Sequence, residues 1–143
     1  AFGVPVVEVE LRVGLGTFRP IDVDRVEDHR MHGETYSVPA ATLEACRAAE
    51  RVIAVGTTTV RALESAAATG ELKGRTELFI HGDRPFAVVD LLLTNFHQPR
   101  SSLLVLVEAF VGPRWRSLYD AALVEGYRFL SFGDAMLLRG ERG

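Results

Sequence analysis

Cysteine and lysine are nearly missing: the 143 residues hold one of each, Cys46 and Lys73. A lone cysteine excludes an internal disulfide and any cysteine-built zinc or iron–sulfur site, and with the latter it excludes radical chemistry. Cys46 falls in PAATLEACRAAE, where it reads as a small residue of a helix. The positive charge rests almost wholly on arginine, and the net charge is −3, so composition gives no global argument for binding nucleic acid. Contact with RNA would need a local arginine patch. No apolar run is long enough to span a bilayer, and no leader with a basic start and apolar centre opens the chain. A cytoplasmic protein without a membrane partner is therefore expected. Low-complexity tracts, linkers and internal repeats are missing too.

At 48% hydrophobic and 24% charged residues, the chain has the composition of one ordinary domain, taken here as 1–143, with enough apolar side chains for a core. Residue 1 is Ala and the strand-like run VPVVEVELRVGL follows at once, which suggests a piece of a longer protein. From Val4 to Leu15, Val7, Val9, Leu11 and Val13 alternate with Glu8, Glu10 and Arg12, the period of a half-buried strand. A polar loop over 17–33 precedes an extended piece, Glu34 to Val38, and Pro39 suits the first turn of a helix reaching about Glu50. RVIAVG, Arg51 to Gly56, reads as a buried strand and TTTVRALESAAA as a helix closed by Gly70. Further strands are expected at Glu77 to Ile80, Phe86 to Leu92, Tyr127 to Ser131 and Ala135 to Leu138, with helices from Ser101 to Val111 and from Trp115 to Glu125. Strands alternating with helices predict an α/β fold whose mixed sheet has a parallel portion flanked by helices.

Three junctions share one grammar: Gly14-Leu15-Gly16-Thr17-Phe18-Arg19, Gly56-Thr57-Thr58-Thr59 leading to Arg61, and Thr94-Asn95-Phe96-His97 leading to Arg100. In open α/β sheets ligands bind beyond the carboxyl ends of strands, where such loops meet. The first lacks the third glycine and following helix of a dinucleotide fingerprint, and a tight turn explains it equally. The second offers backbone N–H groups and hydroxyls at a helix start to a carboxylate or phosphate, or is ordinary threonine capping. Arg61 adds charge to the same anion or pairs with Glu64 on the surface. In the third, polar groups crowd the turn between the apolar runs VVDLLL and SSLLVLVEAFVG; they form a site, or Asn95 caps the turn and His97 is structural. His29, His32 and Glu34 lack a regular helical interval, so a metal site is not expected. Asp134, after Gly133, binds a hydroxyl-rich ligand or forms an Asx turn. Phe18, Phe96, Tyr127, Phe129 and Phe132 gather near these junctions, as a base-stacking surface or as core.

Taken in order, VGLGTFRP, HRMHGETYSVP, VIAVGTTTVRALES, VVDLLLTNFHQPRSSLLVLVEAFVG and YRFLSFGDAMLL closely resemble the S-adenosylmethionine:tRNA ribosyltransferase-isomerase family of queuosine biosynthesis. The resemblance runs from about Val13 to Leu138 and implies the C-terminal portion of a longer chain. It implies the family's large α/β domain, with the smaller β-barrel domain mostly absent from this sequence. The implied reaction moves the ribosyl unit of S-adenosylmethionine onto 7-aminomethyl-7-deazaguanine at the wobble position of tRNA. Epoxyqueuosine forms, adenine and methionine leave, no metal takes part, and a monomer is expected. Such chemistry needs a general base, an acid for adenine and an anchor for the methionine carboxylate. On this resemblance His97 is the leading acid/base, with Asp90 or Glu34 second. Gly14, Gly16 and Thr17 would line the cofactor, and Thr57, Thr58 and Arg61 would hold its carboxylate or a tRNA phosphate. Asn95 and Asp134 would bond to ribose or the deazaguanine, while Phe18, Arg19 and Arg128 would stack on or orient a base. The competing readings are a non-catalytic fragment that binds tRNA or a partner, and an ordinary methyltransferase, whose glycine loop should lead into a helix.

Overall fold

A computed structural model describes residues 3–14, 16 and 20–140. Thr17, Phe18 and Arg19 therefore lie outside the described residues. Among the described residues six strands and four α-helices follow one another in this order: β1 (Glu10–Arg12), β2 (Glu34–Ser37), α1 (Ala40–Ala48), β3 (Ile53–Val55), α2 (Thr57–Thr69), β4 (Lys73–Thr76), β5 (Leu91–Asn95), α3 (Ser102–Val111), α4 (Trp115–Val124) and β6 (Ala135–Arg139).

The mixed sheet expected from the alternation of elements is present, in the order β3-β5-β6, with β3 parallel to β5 and β6 antiparallel to β5. The remaining strands form a second, wholly antiparallel sheet, β1-β2-β4. Helix α2 lies between the two. Eight of its residues are buried, Thr57, Arg61, Glu64 and Ser65 among them, so it has no solvated face of the usual kind. Its small residues explain how it fits there. On the side of the antiparallel sheet, Ser65 Oγ shares a 2.7 Å hydrogen bond with Thr76 Oγ1, and Thr69 Oγ1 lies 2.9 Å from the hydroxyl of buried Tyr36. Gly70 takes the left-handed conformation (φ 75°) and ends the helix.

Burial changes the meaning of two charges that the sequence allowed to pair on the surface. Arg61 turns to Glu34 of β2, whereas Glu64 accepts the backbone N–H groups of Ala87, Val88 and Val89 at 2.7, 2.9 and 3.1 Å. That carboxylate clamps the segment leading into β5. Glu64→Gln should therefore lower the unfolding free energy by about 1–3 kcal/mol, since one oxygen becomes a donor facing donors. Urea unfolding measures the loss. Amide exchange at 87–89 should accelerate with it, and unchanged exchange there would contradict the clamp.

Several boundaries differ from those expected. Only Glu10–Arg12 of the first run is paired, because its partner β2 is four residues long, and Val4, Val6 and Val7 are exposed. The strand expected at Glu77 to Ile80 lies four residues earlier, in KGRT, where Gly74 lets the Tyr36 ring pack against the backbone. Phe86 to Val89 are not strand but loop held by Glu64, so β5 starts at Leu91. Tyr127 to Ser131 form no strand either: Leu130 has φ 62°, and its N–H bonds to the Phe96 carbonyl at 2.8 Å.

Candidate functional site at the carboxyl edge of the mixed sheet

Because β3 and β5 run parallel, their carboxyl ends reach the same edge, and Gly56 N–H bonds to the Leu93 carbonyl at 2.8 Å to lock them together. Gly56 at φ 86° then turns the chain into α2, a conformation that favours glycine. No side chain caps this helix, since its N-cap is Gly56, and Thr59 Oγ1 donates to the Val55 carbonyl at 2.7 Å. The first N–H groups, at Thr57 and Thr58, lie at the positive end of the helix dipole without a capping side chain.

At the end of β5, Thr94 is buried and His97 half-buried. The His97 Nε2 lies 2.9 Å from Thr94 Oγ1, and the His97 backbone N–H donates to the Tyr119 hydroxyl at 2.9 Å. Phe96, between them, packs on Phe129 at 5.3 Å and on Tyr119 and Tyr127 at 5.5 and 5.6 Å. These aromatic rings anchor the turn from behind. Burial drives the His97 imidazole down to about 4, so at neutral pH the ring is uncharged. Burial pushes the Tyr119 hydroxyl up, against a smaller opposing effect of the His97 N–H it accepts.

Antiparallel β6 starts opposite Asn95 and brings Asp134 to the same edge. Asn95 Nδ2 donates to the Asp134 carbonyl at 2.9 Å. Asp134 Oδ2 accepts the Arg128 backbone N–H at 2.6 Å and its Nε at 3.3 Å, and these bonds, the backbone one first, hold the carboxyl below its ordinary value. A cavity of about 350 Å³ opens among Pro20, Asn95, His97, Pro99, Arg100 and Leu130. Arg100, at φ 59°, ties its far wall down: its carbonyl accepts Ile21 N–H at 2.7 Å and its Nε donates to the Ile21 carbonyl at 3.2 Å.

A second group gathers beside α2. Glu34 Oε2 receives Arg61 Nη1, Glu34 Oε1 accepts Gly14 N–H at 3.1 Å, and Arg61 Nε reaches the Leu78 carbonyl at 3.4 Å. Glu34 is 2% and Arg61 3% exposed. The Nη2 of Arg61 is buried without a hydrogen-bond partner among the described residues. The backbone of Gly16 lies against His32, whose ring occupies the space a side chain at 16 would need. Arg61 sits one turn beyond Thr57, about 6 Å along the helix.

The structure therefore brings together His97, Asn95, Arg128 and Asp134, and separately Gly14, Glu34 and Arg61, with Thr57 and Thr58 at the start of the helix that carries Arg61. Asp90 stands apart. It precedes β5 at the opposite edge, where its Oδ2 accepts Val52 N–H at 2.8 Å, and the length of the strand, about 15 Å, separates it from His97. The three residues weighed as metal ligands also diverge: His29 meets Phe79 edge-on at 5.1 Å, His32 lies on Gly16, and Glu34 holds Arg61. Tyr119 is a contributor that the residue pattern did not reveal, whereas Arg100 belonged to the polar turn that the sequence marked. Tyr119 lies 22 residues beyond His97 on another helix, and no local motif marks that contact.

The arrangement is that of an α/β protein whose parallel strands present at their carboxyl edge a candidate ligand site: an uncapped helix start, a neutral imidazole and a small cavity. Residues 1–138 match the family model described as queuosine biosynthesis protein, and the chain belongs to that family. It is 55% identical over 139 residues to the S-adenosylmethionine:tRNA ribosyltransferase-isomerase of Rubrobacter xylanophilus, a match covering 96% of this chain and 42% of that relative. A crystal structure of S-adenosylmethionine tRNA ribosyltransferase from Thermotoga maritima superposes with a TM-score of 0.68 at 48% identity, over 73% of this chain and 40% of the other. The chain thus spans about two fifths of the length of these relatives.

Proposed function

We propose that this chain supplies the S-adenosylmethionine-handling part of a tRNA ribosyltransferase-isomerase. Its reaction transfers the ribosyl unit of S-adenosylmethionine to 7-aminomethyl-7-deazaguanine at the tRNA wobble position, yielding epoxyqueuosine with release of adenine and methionine. The observation that carries this reading is that an uncapped helix start, Thr57 and Thr58, and the His97 turn follow parallel strands that end at the same sheet edge, in a chain whose relatives bear that name.

Each chemical requirement then has a candidate. The Thr57 and Thr58 N–H groups receive the methionine carboxylate, with the Arg61 charge one turn behind them. When Nε2–H of His97 donates to Thr94, its Nδ1 lone pair is left to take the proton made acidic by the neighbouring sulfonium, and the resulting imidazolium returns a proton to the departing adenine. Asn95 and Asp134 bond to ribose hydroxyls or to the deazaguanine, while Arg128, exposed and fixed by Asp134, lies against the base. Glu34 neutralises and aims Arg61, which makes it a positioning residue. Asp90 has no part in this scheme.

Calorimetric titration of the chain with S-adenosylmethionine tests the reading. Binding is expected, and Thr58→Asp, which sets a negative charge at the helix start, should weaken it at least tenfold while leaving the melting temperature within about 2 °C, as surface substitutions usually do. A folded chain that takes up no S-adenosylmethionine would refute the assignment.

A further inference from the structure

The chain over 127–134, between α4 and β6, is neither helix nor strand, yet it is held at four points. Tyr127 N–H donates to the Ala122 carbonyl at 2.9 Å, Arg128 N–H to Asp134 Oδ2 at 2.6 Å, and Leu130 N–H to the Phe96 carbonyl at 2.8 Å. The Asp134 carbonyl accepts Asn95 Nδ2 at 2.9 Å, and the Phe129 ring packs on Phe96 beneath the loop. These ties impose unusual backbone, with Leu130 at φ 62° and Gly133 at φ 121°. Leu130 and Arg100 are the two non-glycine residues with positive φ among the described residues, and both line the cavity beside His97. Backbone strain of this kind clusters where ligands are gripped.

What so firmly fixed a loop presents is an aromatic ring and a guanidinium. Ser131 lines the cavity, and Phe132, the next residue, is 67% exposed. The Arg128 guanidinium lies back on Gly133, where any side chain would press against Nη2, and its Nε stays 3.3 Å from Asp134 Oδ2. Gly133 is thus required twice, by its φ and by the group lying on it. Tyr127, half exposed, widens the aromatic surface. Aromatic faces and guanidinium planes are what unpaired nucleobases stack on, and a paired base inside a helix has no free face to offer them.

We infer that the 127–134 loop is a platform for single-stranded RNA, in which the Phe132 ring stacks on an unpaired nucleobase adjacent to the one that reaches the His97 cavity. The inference rests on the proposed reaction for its choice of RNA as partner. Because Asp134 already neutralises Arg128, the contact gains its affinity from stacking and not from phosphate charge. Phe132 therefore selects a base that is out of its helix, which is the state in which an enzyme acting on a base needs its neighbours.

The test measures binding of a synthetic RNA stem closed by an unpaired loop, against the same stem as a continuous duplex, by fluorescence anisotropy. The looped RNA should bind the parent more tightly than the duplex. Phe132→Ala should weaken loop binding by about 5–150-fold, the range of one base–aromatic stack, and leave the salt dependence of binding unchanged, since no phosphate contact is lost. Phe132→Leu should fail in the same way and Phe132→Trp should bind within about threefold of the parent, while Val6→Ala, at another exposed apolar residue, should change nothing. Loop binding unaltered in Phe132→Ala, equal affinity for loop and duplex, or rescue by leucine overturns the inference. Calorimetry with S-adenosylmethionine separates this claim from the one it rests on: Phe132→Ala should bind that ligand like the parent, and loss of both ligands would mean a disturbed site and no platform. In an enzyme restored to the relatives' full length, carbene labelling of Phe132 should fall at least threefold when the looped RNA is added. A ring already protected without RNA would be packed against the rest of that chain, which also overturns the inference.

Discussion

His97→Ala, made in an enzyme restored to the relatives' full length, should slow adenine release by ~10²–10⁴-fold, the range that one positioned acid/base commonly supplies. Truncation removes only a half-buried ring, and Phe96, Phe129 and Tyr119 keep the turn in place, so circular dichroism and S-adenosylmethionine binding should stay near those of the parent. A variant that turns over within about threefold of the parent would remove His97 from the chemistry. The pH profile sharpens the test. Burial holds the imidazole near 4 rather than 6.5, so the acidic limb of the parent's rate should fall near 4, where His97 gains its proton. Stability carries the same signature. Between pH 6.5 and about 4 the unfolded chain binds a proton on this residue that the folded chain refuses, so stability falls as pH falls through that window and is unaffected by His97 above it. At 1.36 kcal/mol per unit the loss is on the order of 3 kcal/mol. His97→Gln should flatten that part of the melting-temperature curve.

How much of this was legible in the sequence depends on whether the cause was local. Helix α2 and its ends are local: Gly56 and Gly70 bracket an apolar periodicity, and both glycines have the positive φ their positions require. The two members of the parallel pair are each legible as apolar runs, VIAV and LLLT, although their pairing spans α2, β4 and the loop held by Glu64. Strand β4 was not legible. KGRT has neither alternation nor β-branched residues before Thr76, and it is a strand only because β2 supplies four partners. The same holds for the burial of Arg61 and Glu64. On a helix with one covered face they would pair across the surface, and only the presence of two sheets on either side of α2 turns them in opposite directions. Asp90 shows the converse: it lies in the same motif as the His97 turn, yet β5 carries the two to opposite ends of the strand.

Glu34→Ala should prove far more damaging than His97→Ala to folding and for a different reason. It strands the Arg61 guanidinium in a place where that residue is 3% exposed, and it also leaves Gly14 N–H without its acceptor. Breaking a buried pair from one side costs about 3–5 kcal/mol, a large share of the roughly 5–15 kcal/mol that holds a typical domain together. Chemical denaturation should show the midpoint collapsing, and a loss below about 1 kcal/mol would mean that water reaches the pair in solution. Removing both charges separates architecture from function. Glu34→Gln with Arg61→Met keeps an acceptor for Gly14 and fills the guanidinium's space with an apolar chain, so most of the stability should return, as it does when buried ion pairs are replaced as a unit. Binding of S-adenosylmethionine should not return. The Nη2 of Arg61 is buried without a partner among the described residues, a costly arrangement for a pair whose only task is to hold the antiparallel sheet on a helix. A stable double variant that binds S-adenosylmethionine like the parent would show that the pair is structural after all. A stable variant that has lost the ligand would show that the positive charge is kept in the interior for the carboxylate.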